Sequence, residues 1–552
     1  MVYKPARVAT ARASRSWPAG LLLFGIVACG TALRAYRIDW ALPGYNFPDD
    51  VMHFLRPAVR AAGGGSWLPD GYVHPPVLVA ILAAVFKLWW LVTGEVIRSP
   101  VLVSTAQLET LTVVGRVLNV GFAALSIVVL YALARRLLGQ GGALLAAAGF
   151  ALAPLHVLES HRLAPDIPAV LLTIVAAWLA VLAEERRSRT HLVASAAAAG
   201  LATATRYTGV FAVGAPLWAL ARRRWAAALL VLVAVGVAGG FLVGCIPCLC
   251  RLEYFIRDLR LIATLGYAID APGVTLAGGW TQHRWVYPLL VGLPYMMGWP
   301  LYLLSLAGLV ILWRRNRRAA GLVLALVAPC FLLVGGSRAA VPRYYLQTSP
   351  FLALAAAATI TAMAERRRAL AAALGVAAYA YTALLSASQV ARLDLGPQRA
   401  VGTLVDQLVT PPRAAPLIIA YPSRIWLHYD AVARFLRRPD TRLVEFPEPY
   451  ANPFLDEAAA PPAREWLDGA GVEVVVLPSW VENGVARAKP NGLAGSFYDA
   501  LADGRLGFRL AADLRSHYLT EWLYTWGDPM LNTHWETAIA GYRVFVREHD
   551  GA

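Results

Sequence analysis

Runs of about 20 apolar residues, broken by short polar stretches, fill this chain as far as residue 388. A helix needs roughly that length to cross the hydrocarbon core of a membrane. The pattern predicts spans at 17–33, 108–134, 141–158, 167–183, 192–205, 207–221, 226–246, 291–313, 319–335, 347–363 and 370–388. That makes about eleven crossings. The pair 192–205 and 207–221 is short enough to form a tight hairpin that does not fully cross. No repeat at a solenoid period runs through the chain.

One further run, Pro76 to Thr93, is long enough to span. Basic clusters decide its placement. Arg135-Arg136, Glu184-Glu185-Arg186-Arg187 with Arg189, Arg222-Arg223-Arg224, Arg314-Arg315 with Arg317-Arg318, and Arg366-Arg367-Arg368 all fall between apolar runs. Short cytoplasmic loops carry the excess of arginine and lysine. If 76–93 crosses, every later cluster flips outside; if it lies in the interface, all fall inside. Lys87 in mid-run and the Trp89-Trp90 pair suit an interfacial helix. The expected topology therefore has a cytoplasmic N-terminus and a long first outer loop, about 35–104. The basic N-terminal arm (Lys4, Arg7, Arg12, Arg15) before the run at 17–33 resembles a signal peptide. A retained span fits better, because many spans follow and no small-residue cleavage site ends the run.

From about Gln389 the pattern changes. Turn residues multiply at Pro411-Pro412, Pro461-Pro462, Asn483-Gly484 and Asn491-Gly492, and short β-rich runs appear at 417–420, 472–477 and 542–547. The chain thus divides into a membrane module, 1–388, and a small extracytoplasmic α/β domain, 389–552.

Composition sharpens this picture. Of the residues, 58% are hydrophobic and 15% charged, against about 25% charged in a soluble domain. The net charge of +16 would suggest nucleic acid in a soluble protein. Here topology accounts for it, and no nucleic-acid partner is expected. Five cysteines lie in or beside apolar runs. Cys245 and Cys248 have CxxC spacing, but lack the second pair or βαβ context that a metal or redox site would need. The C-terminal region has no cysteine and so no disulfide framework.

Two acidic places stand out, since carboxylates in such a chain are costly and usually functional. One is Asn46-Phe47-Pro48-Asp49-Asp50; the other is His161-Arg162-Leu163-Ala164-Pro165-Asp166. The arginine-derived topology puts both on the same side. The structural alternative for each is a helix N-cap. A set of outer cations joins them: Arg206-Tyr207, Arg338 and Arg343-Tyr344-Tyr345, with His74-Pro75-Pro76 closing a turn of the first loop. Such arginines can snorkel to lipid headgroups. Because they break the charge bias, they call for an anionic partner, and guanidinium grips phosphate bidentately.

The order of these motifs resembles the GT-C superfamily of polyprenyl-phosphate-sugar-dependent glycosyltransferases. It is most similar to the branch of protein O-mannosyltransferases and lipid A aminoarabinose transferases. The likeness covers about residues 1–390 and includes residues 153–162 leading to Asp166, Ala202-Thr203-Ala204-Thr205-Arg206-Tyr207-Thr208-Gly209, and Arg343-Tyr344-Tyr345. The family's first-loop motif is commonly Asp-Glu, so the resemblance puts Asp49 at the catalytic position and Asp50 in place of the Glu. Asp166 matches the second acidic position and His74-Pro75 the His/Lys-Pro element. The C-terminal domain has no match.

The resemblance implies an inverting transferase that moves a sugar from a polyprenyl-phosphate carrier to a hydroxyl acceptor on the outer face of the membrane, expected to be the plasma (inner) membrane. Asp49, Asp50 and Asp166 would be catalytic. His74, His161, Arg162, Arg206, Tyr207, Arg338, Arg343 and Tyr344 would bind substrate. A carboxylate takes the acceptor's proton and fixed cations stabilise the leaving phosphate. No cofactor is required, although the three aspartates could together hold Mg²⁺ or Mn²⁺. The rival readings are a transporter or flippase for lipid-linked or anionic substrates, and a non-catalytic scaffold displaying the C-terminal domain. The absence of a two-half repeat weighs against a transporter.

Overall fold

A computed structural model describes residues 17–40, 42, 50–69, 71–95, 105–223, 228–268, 285–286, 288–336, 342–391, 393, 396–408, 417–421, 441–447, 450, 461–478, 492–515 and 541–548. Asp49 and Arg338 lie outside the described residues.

The apolar runs fold as helices. They are α1 (Trp17–Ala35), α2 (Arg56–Ala62), α3 (Val77–Thr93), α4 (Thr105–Ala151), α5 (Pro154–Glu159), α6 (Asp166–Arg186), α7 (Arg189–Thr205), α8 (Gly214–Arg223), α9 (Ala228–Gly244), α10 (Ile246–Cys250) and α11 (Leu252–Ala268). Then follow α12 (Leu293–Met297), α13 (Trp299–Arg315), α14 (Arg317–Gly335), α15 (Ser349–Ala364), α16 (Arg368–Ala391) and α17 (Gly396–Leu408). Among the described residues six helices are long and apolar enough to cross a membrane. A seventh is formed if α12 and α13 count as one span bent by 112° at Gly298. This is an integral multi-pass membrane protein. The eleven expected crossings include shorter helices: α7 and α9 have 17 residues each and α8 has 10.

One boundary differs from the sequence expectation. The runs at 108–134 and 141–158 form the two arms of α4, which meet at a kink where Gly139 adopts φ +78°, a left-handed conformation that glycine enters without steric cost. Its second arm stops at Ala151, not 158. Pro154, suited to the first turn of a helix, then starts the separate helix α5.

Helices α6 and α15 are apolar on almost all sides and form the centre of the bundle, as expected of helices surrounded by others. Around them, α7 and α9 touch backbone to backbone. A Cβ on Gly200 would lie 2.0 Å from the Val237 carbonyl oxygen, and one on Gly240 2.0 Å from that of Ala197. Small residues permit this close approach in membranes, where apolar burial between helices has little drive.

The arginine clusters placed on one side by the charge rule meet at one end of the bundle. Arg318 reaches Glu184 at 2.9 Å and Glu185 at 2.8 Å. Arg222 approaches Glu184 at 3.8 Å, and Arg136 pairs with Glu185. This ties α4, α6, α8 and α14 together.

At the other end of α6, a π-helical turn, Asp50–Leu55, leads into α2. These pack with α3 around Phe54, Leu82, Phe86, Leu111 and Leu163. Lys87 sits 3.8 Å from the centre of the Trp90 ring, so the charge in the middle of α3 has an aromatic face to rest on. The stretch 247–290, to which the apolar pattern gives no element, contains α10 and the amphipathic α11. Cys245, the N-cap of α10, and Cys248, within that helix, form a disulfide.

Beyond α17, two further helices lie among the described residues, α18 (Ala463–Gly469) and α19 (Leu493–Ala502). The strands are β1 (Ile418–Tyr421), β2 (Arg442–Glu445), β3 (Val474–Pro478), β4 (Phe508–Arg515) and β5 (Gly541–Arg547). They form one sheet in the order β2-β1-β3-β5-β4. β1 runs parallel to β2 and β3, and β5 antiparallel to β3 and β4. Phe446, Tyr450, Leu467, Phe497 and Phe545 fill one face of this mixed sheet.

Candidate active site

The two acidic motifs of the sequence come together. Asp50, the first residue of the π turn, is buried. One of its carboxylate oxygens accepts the Leu163 N–H at 2.9 Å and the other lies 3.5 Å from the Arg162 guanidinium. The expected helix cap is therefore replaced by a bond across to the second motif. Arg162 also reaches Glu159 at 3.4 Å. A buried guanidinium between two carboxylates meets the condition that buried charge be paired. Asn119 donates to the Arg162 carbonyl at 2.6 Å and to the Ala164 carbonyl at 3.1 Å, fixing the turn.

Asp166 does not cap α6 either. Pro165 is the N-cap, and Asp166 is the first helical residue. Its carboxylate receives the Arg206 guanidinium at 2.5 Å, and its other oxygen, Oδ1, is buried without a hydrogen-bond partner among the described residues. Arg206 ends α7 in an extended conformation, so the helix stops where the arginine is needed. Its guanidinium lies 5.5 Å from the centre of the Tyr344 ring, and that of Arg343 lies 5.9 Å from the same ring. Tyr344 therefore carries both cations. Arg343 is buried in the 3-10 segment Pro342–Thr348. In the same segment, Gln347 meets the Thr208 hydroxyl at 2.8 Å.

His74 sits among these groups. Its ring is 5.3 Å from that of His53 and 5.1 Å from that of Phe54. Desolvation, then the positive charges of Arg206, Arg343, His53 and Arg162, hold its pKa well below 6.5. At neutral pH His74 is thus an uncharged hydrogen-bonding group in a strongly positive surround. His53 and Glu159 complete the cluster and were not singled out from the sequence. Their signal was a charged or titratable residue inside an apolar stretch, at helical spacing from a named one.

Two expected substrate-binding residues are engaged elsewhere. Both ring nitrogens of His161 lie 2.9 Å from backbone carbonyls, of Val157 and Tyr36. With Arg116, which donates to the Ile38 and Trp40 carbonyls at 2.9 and 2.8 Å, it anchors the segment that follows α1. Tyr207 donates its hydroxyl to the Tyr72 carbonyl at 2.6 Å.

Burial lowers the His161 pKa to about 4, which gives a stability prediction. Above about pH 6.5 the ring is neutral in folded and unfolded chains alike. As pH falls from 6.5 towards 4, the unfolded chain takes up a proton that the folded one refuses. Stability should then drop by up to ~1.4 kcal/mol per pH unit for this ring. Melting temperatures between pH 7 and 4.5 should fall more steeply in the wild type than in His161→Gln; equal slopes would place the acid sensitivity in another group.

No group of three or more metal-ligating side chains meets among the described residues. Asp50 and Asp166 each face an arginine and make a poor metal set by themselves, so no chemical step is derived through a cation.

The sequence pattern of the dolichyl-phosphate-mannose-protein mannosyltransferase family matches residues 110–250. No curated protein matches the chain. Solved structures match its fold over nearly its whole length. The oligosaccharyltransferase of Archaeoglobus fulgidus tethered to an acceptor peptide aligns over 92% of this chain and 74% of its own, at 14% identity and TM-score 0.53. The same organism's AglB, in complex with an inhibitory peptide and a dolichol-phosphate, aligns over 96% and 88%, at 12% identity and TM-score 0.50. ArnT from Cupriavidus metallidurans, bound to undecaprenyl phosphate, aligns over 84% and 94%, at 14% identity and TM-score 0.50. The resemblance carried by the short motifs and the likeness of the whole fold point the same way: this chain has the fold of the GT-C glycosyltransferases, and residues 110–250 carry the pattern of their protein mannosyltransferase branch.

Proposed function

We propose that this chain is an inverting glycosyltransferase that moves a sugar from a polyprenyl-phosphate carrier to a hydroxyl acceptor at the outer face of the membrane. The observation that carries the reading is the set of arginines, Arg162, Arg206 and Arg343, gathered around His74 beside two buried carboxylates, Asp50 and Asp166. The bond from C1 to the carrier's phosphate oxygen breaks as the acceptor oxygen attacks C1 from the opposite side. A carboxylate takes the acceptor's proton. By the family resemblance this is Asp49, next in sequence to Asp50. The departing polyprenyl phosphate gains charge in the transition state, and Arg206 and Arg343, with Arg338 from the outer-cation pattern of the sequence, would stabilise it.

A mainly apolar groove of about 500 Å³ is lined by Ala61, Pro76, Ala80, Ala84, Val243 and Ile246, with Lys87 among them, and Pro76 is two residues from His74. Its chemistry suits an isoprenoid chain. A transporter reading is less well supported. Asp166 is the first residue of its helix and Arg206 follows the last of another, whereas transporters gather charge at interrupted helices near the midplane.

The distribution of arginines supports a topology with the site and the C-terminal domain outside and the Glu184–Arg318 cluster in the cytoplasm. The purified protein in lipid nanodiscs should release polyprenyl phosphate from a polyprenyl-phosphate sugar with inversion at C1. In intact cells, cysteines placed at Gln140 and Arg187 should resist an impermeant thiol reagent. Donor left intact in the presence of membrane extracts containing acceptors would overturn the transferase reading, and labelling of both cysteines would overturn the sidedness.

A further inference from the structure

The amphipathic helix α11 meets the segment around Tyr72 through a buried carboxylate. It turns Leu252, Tyr254, Ile256, Leu259 and Leu261 outward, each at least 39% exposed. Among its described side chains Asp258 alone is buried. A carboxylate is costly to bury unless it receives hydrogen bonds, and this one accepts the Tyr72 N–H at 2.7 Å and the Arg257 Nε–H at 2.8 Å. The residue before Tyr72 is Gly71, where a Cβ would come within 3.2 Å of the Asp258 oxygen. Glycine there lets the carboxylate approach.

Tyr72 is fully buried and all its polar groups are used. Its N–H goes to Asp258, its carbonyl accepts the Tyr207 hydroxyl at 2.6 Å, and its own hydroxyl donates to the Pro247 carbonyl at 2.6 Å. Pro247 lies within the Cys245–Cys248 disulfide turn. The Phe255 ring of α11 closes against Tyr72 at 6.0 Å, edge to face. Tyr72 is two residues from His74, and Tyr207 directly follows Arg206.

From this juxtaposition we infer that Asp258 is a positioning residue: through Tyr72 it holds His74 on one arm and, through Tyr207, Arg206 on the other. Asp258 touches no substrate. It fixes the spacing of two groups that must meet one phosphate, and a displacement of about 1 Å in such a pair can cost a hundredfold in rate. The inference rests on the transferase reading for its kinetic consequence, while the strut itself is testable without catalysis.

The test compares wild type, Asp258→Ala and Asp258→Asn in nanodiscs, by amide hydrogen exchange over residues 71–75 and by turnover of a polyprenyl-phosphate sugar. Asn keeps a carbonyl oxygen for the Tyr72 N–H and Ala does not. Asp258→Ala should exchange faster at Tyr72 and lose at least about tenfold in kcat, with donor KM changed less than kcat. Asp258→Asn should restore most of both. Unchanged exchange at Tyr72 in Asp258→Ala would overturn the strut. Faster exchange with wild-type kcat, or loss in Asn equal to that in Ala, would overturn the positioning role. A wild type that uses no such donor would defeat the transferase reading and the kinetic role with it, and the exchange data would then decide the strut alone.

Discussion

Asp49→Asn should fold, insert and bind donor, yet transfer sugar at least about a hundredfold more slowly, because a general base contributes roughly 10²–10⁴-fold and an amide cannot take the proton. The position of Asp50 sharpens this expectation. Its two oxygens already face the Leu163 N–H and Arg162, which makes it the anchor of the loop. Asn at 50 can still accept from Leu163 but gives up the charge facing Arg162. Its cost should be about tenfold, less than a lost base. Single-turnover measurements on the two variants check the order. Near-normal transfer by Asp49→Asn with none by Asp50→Asn would shift the catalytic carboxylate by one residue. Normal transfer by both would remove this loop from the chemistry.

Arg206→Ala should be the most damaging of the cation substitutions, for two separable reasons. It removes a charge aimed at the leaving phosphate, and it leaves Asp166 buried without its partner, at about 3–5 kcal/mol in stability. Pairing it with Asp166→Asn removes the orphaned charge. The double variant should therefore regain much of the lost thermal stability while remaining at least about tenfold impaired in donor use, the equivalent of a charge-assisted hydrogen bond of ~1.5–3 kcal/mol. Recovery of donor kinetics along with stability would make Arg206 a structural counter-ion only.

The groups most readily named from the sequence were the ones whose type is unusual for their place. Asp166, Arg206 and Arg343 stand out as charges beside apolar runs. Their partnership did not stand out: Asp166 and Arg206 are 40 residues apart, and only the packing of α6 on α7 makes them neighbours. Both aspartates were open to reading as caps because an aspartate before an apolar run is the usual cap signature. Pro165 takes the cap position at α6, freeing Asp166 to face inward. The helix α11 shows no long apolar run because its apolar residues, Leu252, Phe255, Ile256 and Leu259, recur at helical spacing among charges. In the C-terminal domain β1, β3 and β5 showed as β-rich runs. β2 is a four-residue edge strand. β4 carries a register shift between Leu510 and Ala512, and such a bulge breaks the alternation that would announce it.

Helix α6 joins two regions of different character. Asp166 opens it at the site, and Glu184 and Glu185 lie in its last turn among the arginines of α4, α8 and α14. At 1.5 Å per residue, the 18 residues from Asp166 to Glu184 put roughly 27 Å between them, a distance at which two unit charges interact by only about 0.6 kcal/mol at an effective dielectric constant of about 20. Charge can therefore be rearranged at the Glu184 end with little electrostatic effect at the other. For anyone engineering the protein, the arginine–glutamate end is the handle for raising thermal endurance, and the Asp166 end is the handle for changing what it transfers.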